Sequence, residues 1–363
     1  MRSYNFLKGN KMSQLEIITS DQAEEWNKIV KSFKNHDVYY LIDYVKAFQI
    51  HGDGEPILIF YHDHDFKAMN VTMKRDIGRS PNLVNQIPVD TYYDFTTPYG
   101  YGGFQVEGTQ TKENIETLNR IYYEYCLKHS IVCEFVRFHP VLENAKLLTE
   151  MYEVIELGKT ILMDLSDQEL IWKNITSKNR NVIRKAQKSG VKIYWGRNRE
   201  LFKDFIQIYN QTMDKDQAED YYYFKVDFYE SILNDLKDNS LIFYAQLEDE
   251  IIAMSIVMFC NQQMHYHLSA SKQAYLKYAP TNLLLYEVAC WGAENGFKTL
   301  HLGGGLGCKE DNLYKFKSAF NRHSEAEFSI GKKVFDKEAY MEFVEMSQKS
   351  EDKEDDYFPK YRG

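Results

Sequence analysis

The sequence has no CxxC pair, no run approaching eighteen apolar residues and no glycine in the loop before its best-defined helix. Each absence narrows the function. The five cysteines (Cys126, Cys133, Cys260, Cys290 and Cys308) are odd in number and lack metal-site spacing. They read as reduced thiols, and neither a disulfide frame nor a zinc site is expected. Without a long apolar run nothing spans a bilayer as a helix. The opening MRSYNFLKGNKMSQ lacks the apolar core of a signal peptide, so the expectation is a soluble, cytoplasmic protein. A net charge of −9 argues against a general nucleic-acid binder. No nucleophile elbow, Ser/His/Asp order or P-loop occurs, which directs attention to reactions that need no covalent enzyme intermediate.

What is present is aromatic and α/β in pattern. The 363 residues suffice for two domains, and they include 28 tyrosines and 22 phenylalanines. Tyrosine on this scale suits a binding groove, or else reflects AT-rich coding. Strand, helix, helix, hairpin, loop, helix and strand follow one another from Leu15 to Pro140, and the order recurs from Thr160 onward. The expected boundaries are 14–158 and 159–332, with about 333–348 packing back on the first domain. Residues 1–13 and the charged end 349–363 read as flexible tails.

Four segments carry the candidate chemistry. The first runs from His265 to Lys317: a strand (HYHLSAS), a helix (TNLLLYEVACWGAENG), a strand ending in Gly303-Gly304-Gly305, then a helix bearing FKSAF. Thr281 is the expected N-cap and Gly296 the stop. Strict alternation puts His265, His267, Ser269 and Ser271 on one strand face and Tyr266 on the other. His267 is a candidate catalytic group. Tyr266, Asn282 and the three glycines are candidate substrate contacts, because glycine lets a ligand approach backbone closely.

The second segment, Ile171 to Asn198, holds eight Lys/Arg and no acid. Arg180, Arg184 and Lys188 stand at i, i+4 and i+8, one helix stripe suited to phosphates or, equally, to solvent. The third, DFTTPYGYGG, presents Tyr99 and Tyr101 as a substrate wall and Asp94 as a candidate base. In the fourth, Lys315 and Lys317 flank Phe316, and burial of the ring directs at least one of the two lysines toward solvent or a ligand phosphate.

In order and spacing these pieces, with EFVRFHP, Asn144, YNQTMDKDQAEDYYYF and YAPTNLLLYEVACWGAENG, resemble the FemAB/FemX family. The resemblance runs from about Leu15 to Tyr340. It implies an α/β (α+β) chain of two tandem GNAT-like domains facing a shared cleft. It also implies an N-acyltransferase that moves an aminoacyl or acyl group to an amine of a cell-envelope peptide or glycan precursor, as in peptidoglycan synthesis. The donor would be aminoacyl-tRNA or acyl-CoA, with no tightly bound cofactor and no metal. By the same resemblance Lys317 contacts phosphate in the transfer channel, and Lys215 and Tyr221 approach the acceptor. Two departures stand out. The long charged helical hairpin of the larger Fem ligases is missing. The loop SKQAYLKYAPTN also lacks the glycines that cradle pyrophosphate in acetyl-CoA enzymes of the superfamily. An acetyl-CoA-dependent amino-sugar N-acetyltransferase and a non-catalytic binding scaffold are the competing readings.

Overall fold

The computed structural model describes residues 2–8, 11–324, 326–347 and 357–363. Its chain divides into two compact units. Unit 1 comprises residues 1–156 and 328–363, and unit 2 comprises 157–327.

Unit 1 begins with strands β1 (Arg2–Lys8) and β2 (Lys11–Thr19), which pair antiparallel. The expected loose tail at 1–13 is therefore wrong, because most of it is hydrogen-bonded ladder. Helices α1 (Ala23–Lys31) and α2 (Ile42–His51) follow, then the hairpin β3 (Glu55–Asp63) and β4 (Phe66–Asp76). Next come β5 (Tyr93–Thr96), β6 (Gln105–Gly108), α3 (Lys112–Lys128) and β7 (Ile131–Arg137). Thr111 caps α3 by accepting from Asn114 N at 3.2 Å. Ile115, Leu118, Ile121, Tyr122 and Tyr125 recur at helical spacing and are buried against the sheet. Each such side chain contributes roughly 1.5–3 kcal/mol of apolar burial.

Strand β8 (Glu153–Asp164) leads from unit 1 into unit 2, where α4 (Gln168–Asn174), α5 (Ser177–Lys188) and β9 (Lys192–Gly196) follow. After these come α6 (Arg199–Asp216), α7 (Val226–Asp235), and strands β10 (Ser240–Leu247), β11 (Glu250–Cys260) and β12 (Gln263–Ser271). The crossover helix α8 (Pro280–Glu294), β13 (Thr299–Gly303) and α9 (Asn312–Ser318) close it. Strand β14 (Ala326–Val334) and helix α10 (Lys337–Ser347) then return the chain to unit 1, where β14 pairs antiparallel with β7. The unit 1 strands run β1-β2-β3-β4-β5-β7-β14, with β6 on β4; those of unit 2 run β8-β13-β12-β11-β10-β9.

The two units share one arrangement. Two helices precede three antiparallel strands, and a helix then crosses over to a parallel strand. The parallel pairs are β5 with β7 and β12 with β13. In unit 2, Leu283, Leu284, Leu285, Val288 and Ala289 of α8 are buried on the sheet. Gly292 lets that helix come close, since a Cβ there would meet Met264 Sδ at 2.5 Å and Leu165 Cδ1 at 2.7 Å. Part of the C-terminal segment expected to be a flexible tail is docked instead. Tyr361 is fully buried with Ile77, Val132, Ala339 and Phe343, while 348–356 lie outside the described residues.

Candidate functional site

Strands β12 and β13 are paired over three residues only, Gln263 to His265 against Thr299 to His301. Beyond His265, β12 continues to Ser271 without β13 beside it. A pocket of about 460 Å³ is lined by this departing part of β12, the start of α8 and one side of α9. Its wall includes Tyr266, His267, Ser269, Ala270 and Ser271 from β12, Pro280 to Asn282 from α8, and Phe316 and Lys317 from α9.

Alternation alone does not give this wall. In the β11 ladder Ile256 opposes Leu268 and Val257 opposes Tyr266, so His267 is an extra, bulged residue. The bulge turns Tyr266 and His267 toward the same space. Burial pushes the His267 imidazole down to about 3, with His265 adding to the shift. So weak a base accepts a proton poorly at neutral pH. Burial pushes the Tyr266 phenol up to about 12, partly offset by its hydrogen bond with Ser269, so it keeps its proton. His301 stands in register with His265, its Nε2 2.9 Å from Thr160 Oγ1.

The N-cap of helix α8 lies two residues before the expected Thr281. Pro280 is its first residue, Ala279 its N-cap in the left-handed region (φ 52°), and no side chain caps it. The expected Thr281 cap is thus replaced by a first turn whose amides have no side-chain acceptor at the pocket edge. Asn282 in that turn donates through Nδ2 to Oδ1 of Asn179 at 2.8 Å. Asn179 is 3% exposed and donates in turn to the Ala319 carbonyl at 3.4 Å. Sequence reading missed Asn179, since one asparagine on a basic helix looks like any solvated polar residue.

Lys317 reaches the pocket from α9 and is only 9% exposed. Its Nζ donates to the Gly304 carbonyl at 2.7 Å. Burial pushes the ammonium down to about 8, against the opposing pull of Asp311 and Cys308. Asp311 caps α9 by accepting from Tyr314 N at 2.8 Å and also accepts from Leu306 N at 3.0 Å. The triple glycine serves this arrangement and is not part of the pocket wall. Gly303 has φ +75°, and a Cβ on Gly305 would collide with the Lys309 carbonyl and the Asp311 carboxylate. Lys215 lines the pocket, paired with Asp216 at 3.0 Å. Tyr221 packs on Tyr222 and Phe224 outside the lining.

The basic stripe does not line the pocket. Arg180 donates to the carbonyls of Trp172, Lys173 and Ile175 at the end of α4, and Arg184 lies 5.1 Å from the Trp172 ring centre. Arg184 and Lys188 are exposed. In unit 1, Tyr99 stacks on Phe48 and Tyr101 packs on Tyr39 and His139, so both are members of an aromatic cluster. Asp94 is fully buried, accepting from Arg75 Nε and Arg362 Nε at 2.6 Å each and from the Tyr361 hydroxyl at 2.9 Å. A carboxylate so engaged is a structural ion-pair centre, and its expected role as a base is withdrawn.

Residues 174–318 match the family model described as an acetyltransferase (GNAT) domain. Comparison with curated protein sequences gives no match. Among solved structures the chain is similar to FemX, at 14% identity and TM-score 0.63, covering 90% of this chain and 98% of that one. It is also similar to the C-terminal domain of a putative lysylphosphatidylglycerol synthetase from Agrobacterium fabrum (12% identity, 86% and 92% covered, TM-score 0.55). A conserved protein of unknown function from Bacteroides thetaiotaomicron gives 12% identity, 88% and 99% coverage and a TM-score of 0.54. No helix among the described residues is long and apolar enough to cross a membrane. The chain therefore has a FemX-like α/β fold, and its residues 174–318 match the acetyltransferase (GNAT) domain model.

Proposed function

We propose that unit 2 is an N-acyltransferase whose donor is an acyl thioester of the acyl-CoA type. The acceptor is an amine on a cell-envelope peptide or glycan precursor. The observation that carries this reading is the pocket where β12 leaves β13, edged by the uncapped first turn of α8 and by Lys317. Amides at a helix start suit the phosphates of the carrier, and Lys317 adds a buried cation. The acceptor nitrogen attacks the thioester carbon, a C–N bond forms, the C–S bond breaks, and the amine's proton ends on the departing thiol. Backbone N–H groups of β12 on the side vacated by β13 suit the oxyanion of the tetrahedral intermediate. Tyr266, which stays a phenol to about pH 12, is the hydroxyl suited to supply a proton to the thiolate.

A thioester is favoured over aminoacyl-tRNA by the fate of the basic stripe. Arg180 is held by the α4 carbonyls, and the exposed Arg184 and Lys188 do not line the pocket where transfer is proposed. The cell-envelope acceptor rests on the resemblance to FemX. The test is thiol release from acetyl-CoA and longer acyl-CoA thioesters in the presence of amine-bearing peptides and amino sugars. Release that depends on the amine and is lost in Lys317→Met supports the proposal. Transfer of label from aminoacyl-tRNA alone overturns the donor.

A further inference from the structure

Unit 1 holds a second pocket, of about 670 Å³, within the range of small-molecule sites. The end of β2, the end of α2, the start of β3 and the end of α3 surround it. Its apolar wall is Ile17, Pro56 and Ile57.

Four polar groups in this lining have no hydrogen-bond partner for their side chains among the described residues: Ser20, Gln49, Glu55 and Lys74. Lys74 is half-buried with Nζ 3.5 Å from the centre of the Tyr93 ring, and Glu55, Asp76 and Asp90 act on it electrostatically without a hydrogen bond among the described residues. Glu55 is its neighbour across the β3–β4 ladder. On the far side His129 stacks on Tyr125, ring centres 4.2 Å apart. A carbonyl only accepts, so His129 Nδ1 carries the proton given to the Tyr125 carbonyl oxygen at 2.8 Å. Asp21 adds a second carboxylate, already engaged by the Thr19 hydroxyl.

These groups select a ligand class. Two carboxylates disfavour an anion, and a half-buried ammonium disfavours a cation. An apolar guest would leave Lys74, Glu55 and Gln49 desolvated without partners, which is costly. A neutral molecule is left that donates and accepts at several points and carries an apolar face. A pyranose does this, because each hydroxyl both donates and accepts while the ring's C–H face is apolar. We infer that unit 1 carries a saccharide-binding site here, with Glu55, Gln49 and Lys74 as its hydrogen-bonding groups. The inference is independent of the acyl-transfer reading, since it concerns binding in the other unit.

The test is saturation-transfer NMR and calorimetry on the full chain, with maltose, lactose and N,N′-diacetylchitobiose as probes and glycylglycine as the zwitterionic control. Expected are binding of at least one sugar and a loss of affinity of roughly tenfold in each of Gln49→Ala and Glu55→Ala. Both side chains are exposed, so neither change threatens the fold. Asn282→Ala in unit 2 should leave the sugar affinity unchanged. Absence of binding by all three sugars overturns the inference, as does binding that survives both unit 1 substitutions. Displacement of the sugar by glycylglycine would assign the pocket to a zwitterion and overturn it equally.

Discussion

The ammonium of Lys317 is tied to the carbonyl of Gly304 at 2.7 Å while less than a tenth of the side chain meets solvent. This places a desolvated cation against the pocket wall, oriented by backbone and not by a carboxylate partner. In the proposed reaction it faces a donor phosphate or the developing oxyanion. Lys317→Met should lower kcat/KM at least tenfold. Lys317→Arg should keep part of the activity and move the alkaline limb of the pH–rate profile upward, because arginine keeps its proton above pH 12. In the wild type that limb should begin near pH 8, where burial has put the lysine. A profile identical in the two proteins would exclude the role.

The same burial has a signature in stability. Lys317 and, in unit 1, Lys333 are both pushed down from 10.5 to about 8, chiefly by desolvation. Below about pH 8 folded and unfolded chains both hold these protons. Between about 8 and 10.5 the unfolded chain holds more, so these groups make stability rise with pH across that window. Lys333 donates to the Met151 carbonyl at 2.9 Å and lies 5.1 Å from the Tyr152 ring centre. Denaturant midpoints measured at about pH 7.5 and about pH 10 should show a smaller rise in Lys333→Met than in the wild type.

Asp94 should matter for folding and not for transfer. Asp94→Ala leaves the guanidinium groups of Arg75 and Arg362 without their shared carboxylate, at a cost of about 3–5 kcal/mol. The denaturation midpoint should fall accordingly, while kcat per folded molecule stays at the wild-type value. A specific loss of kcat in a stably folded Asp94→Asn protein would restore the catalytic reading.

Asn179 is a positioning residue for Asn282. With Asn179→Ala the Asn282 amide loses its 2.8 Å acceptor and the first turn of α8 loses a fixed side chain. The expected result is a KM for the donor raised about tenfold with kcat changed less. Equal loss in both, together with a lowered melting temperature, would mark a merely structural contact.

The element order was legible because burial imposes its own period. The α3 pattern of Ile115, Leu118, Tyr122 and Tyr125 and the apolar run of α8 say where a sheet must lie. What escaped were relations between distant parts of the chain. Asp94 meets Arg362, 268 residues later, and nothing local announces that partner. The His267 bulge contains no glycine, so alternation predicts one face of β12 where the pocket uses two. Residues 2–8 look featureless because a strand at the start of a sheet is defined by its partner, here β2. Lys317 could be found from the FK pair, but its tether could not, since a carbonyl acceptor has no sequence signature.

Unit 2 is a continuous stretch inserted between the two parts of unit 1. This has a consequence for the order of events on the ribosome. Residues 157–327 can complete their core as soon as they emerge. The sheet of unit 1 must wait for β14, α10 and Tyr361, which arrive only after all of unit 2 has been made. During that interval β7 lacks the strand that later covers it, and Asp94 lacks Arg362. The unit that is interrupted finishes folding after the one that interrupts it, and an exposed strand edge is the hazard of that delay.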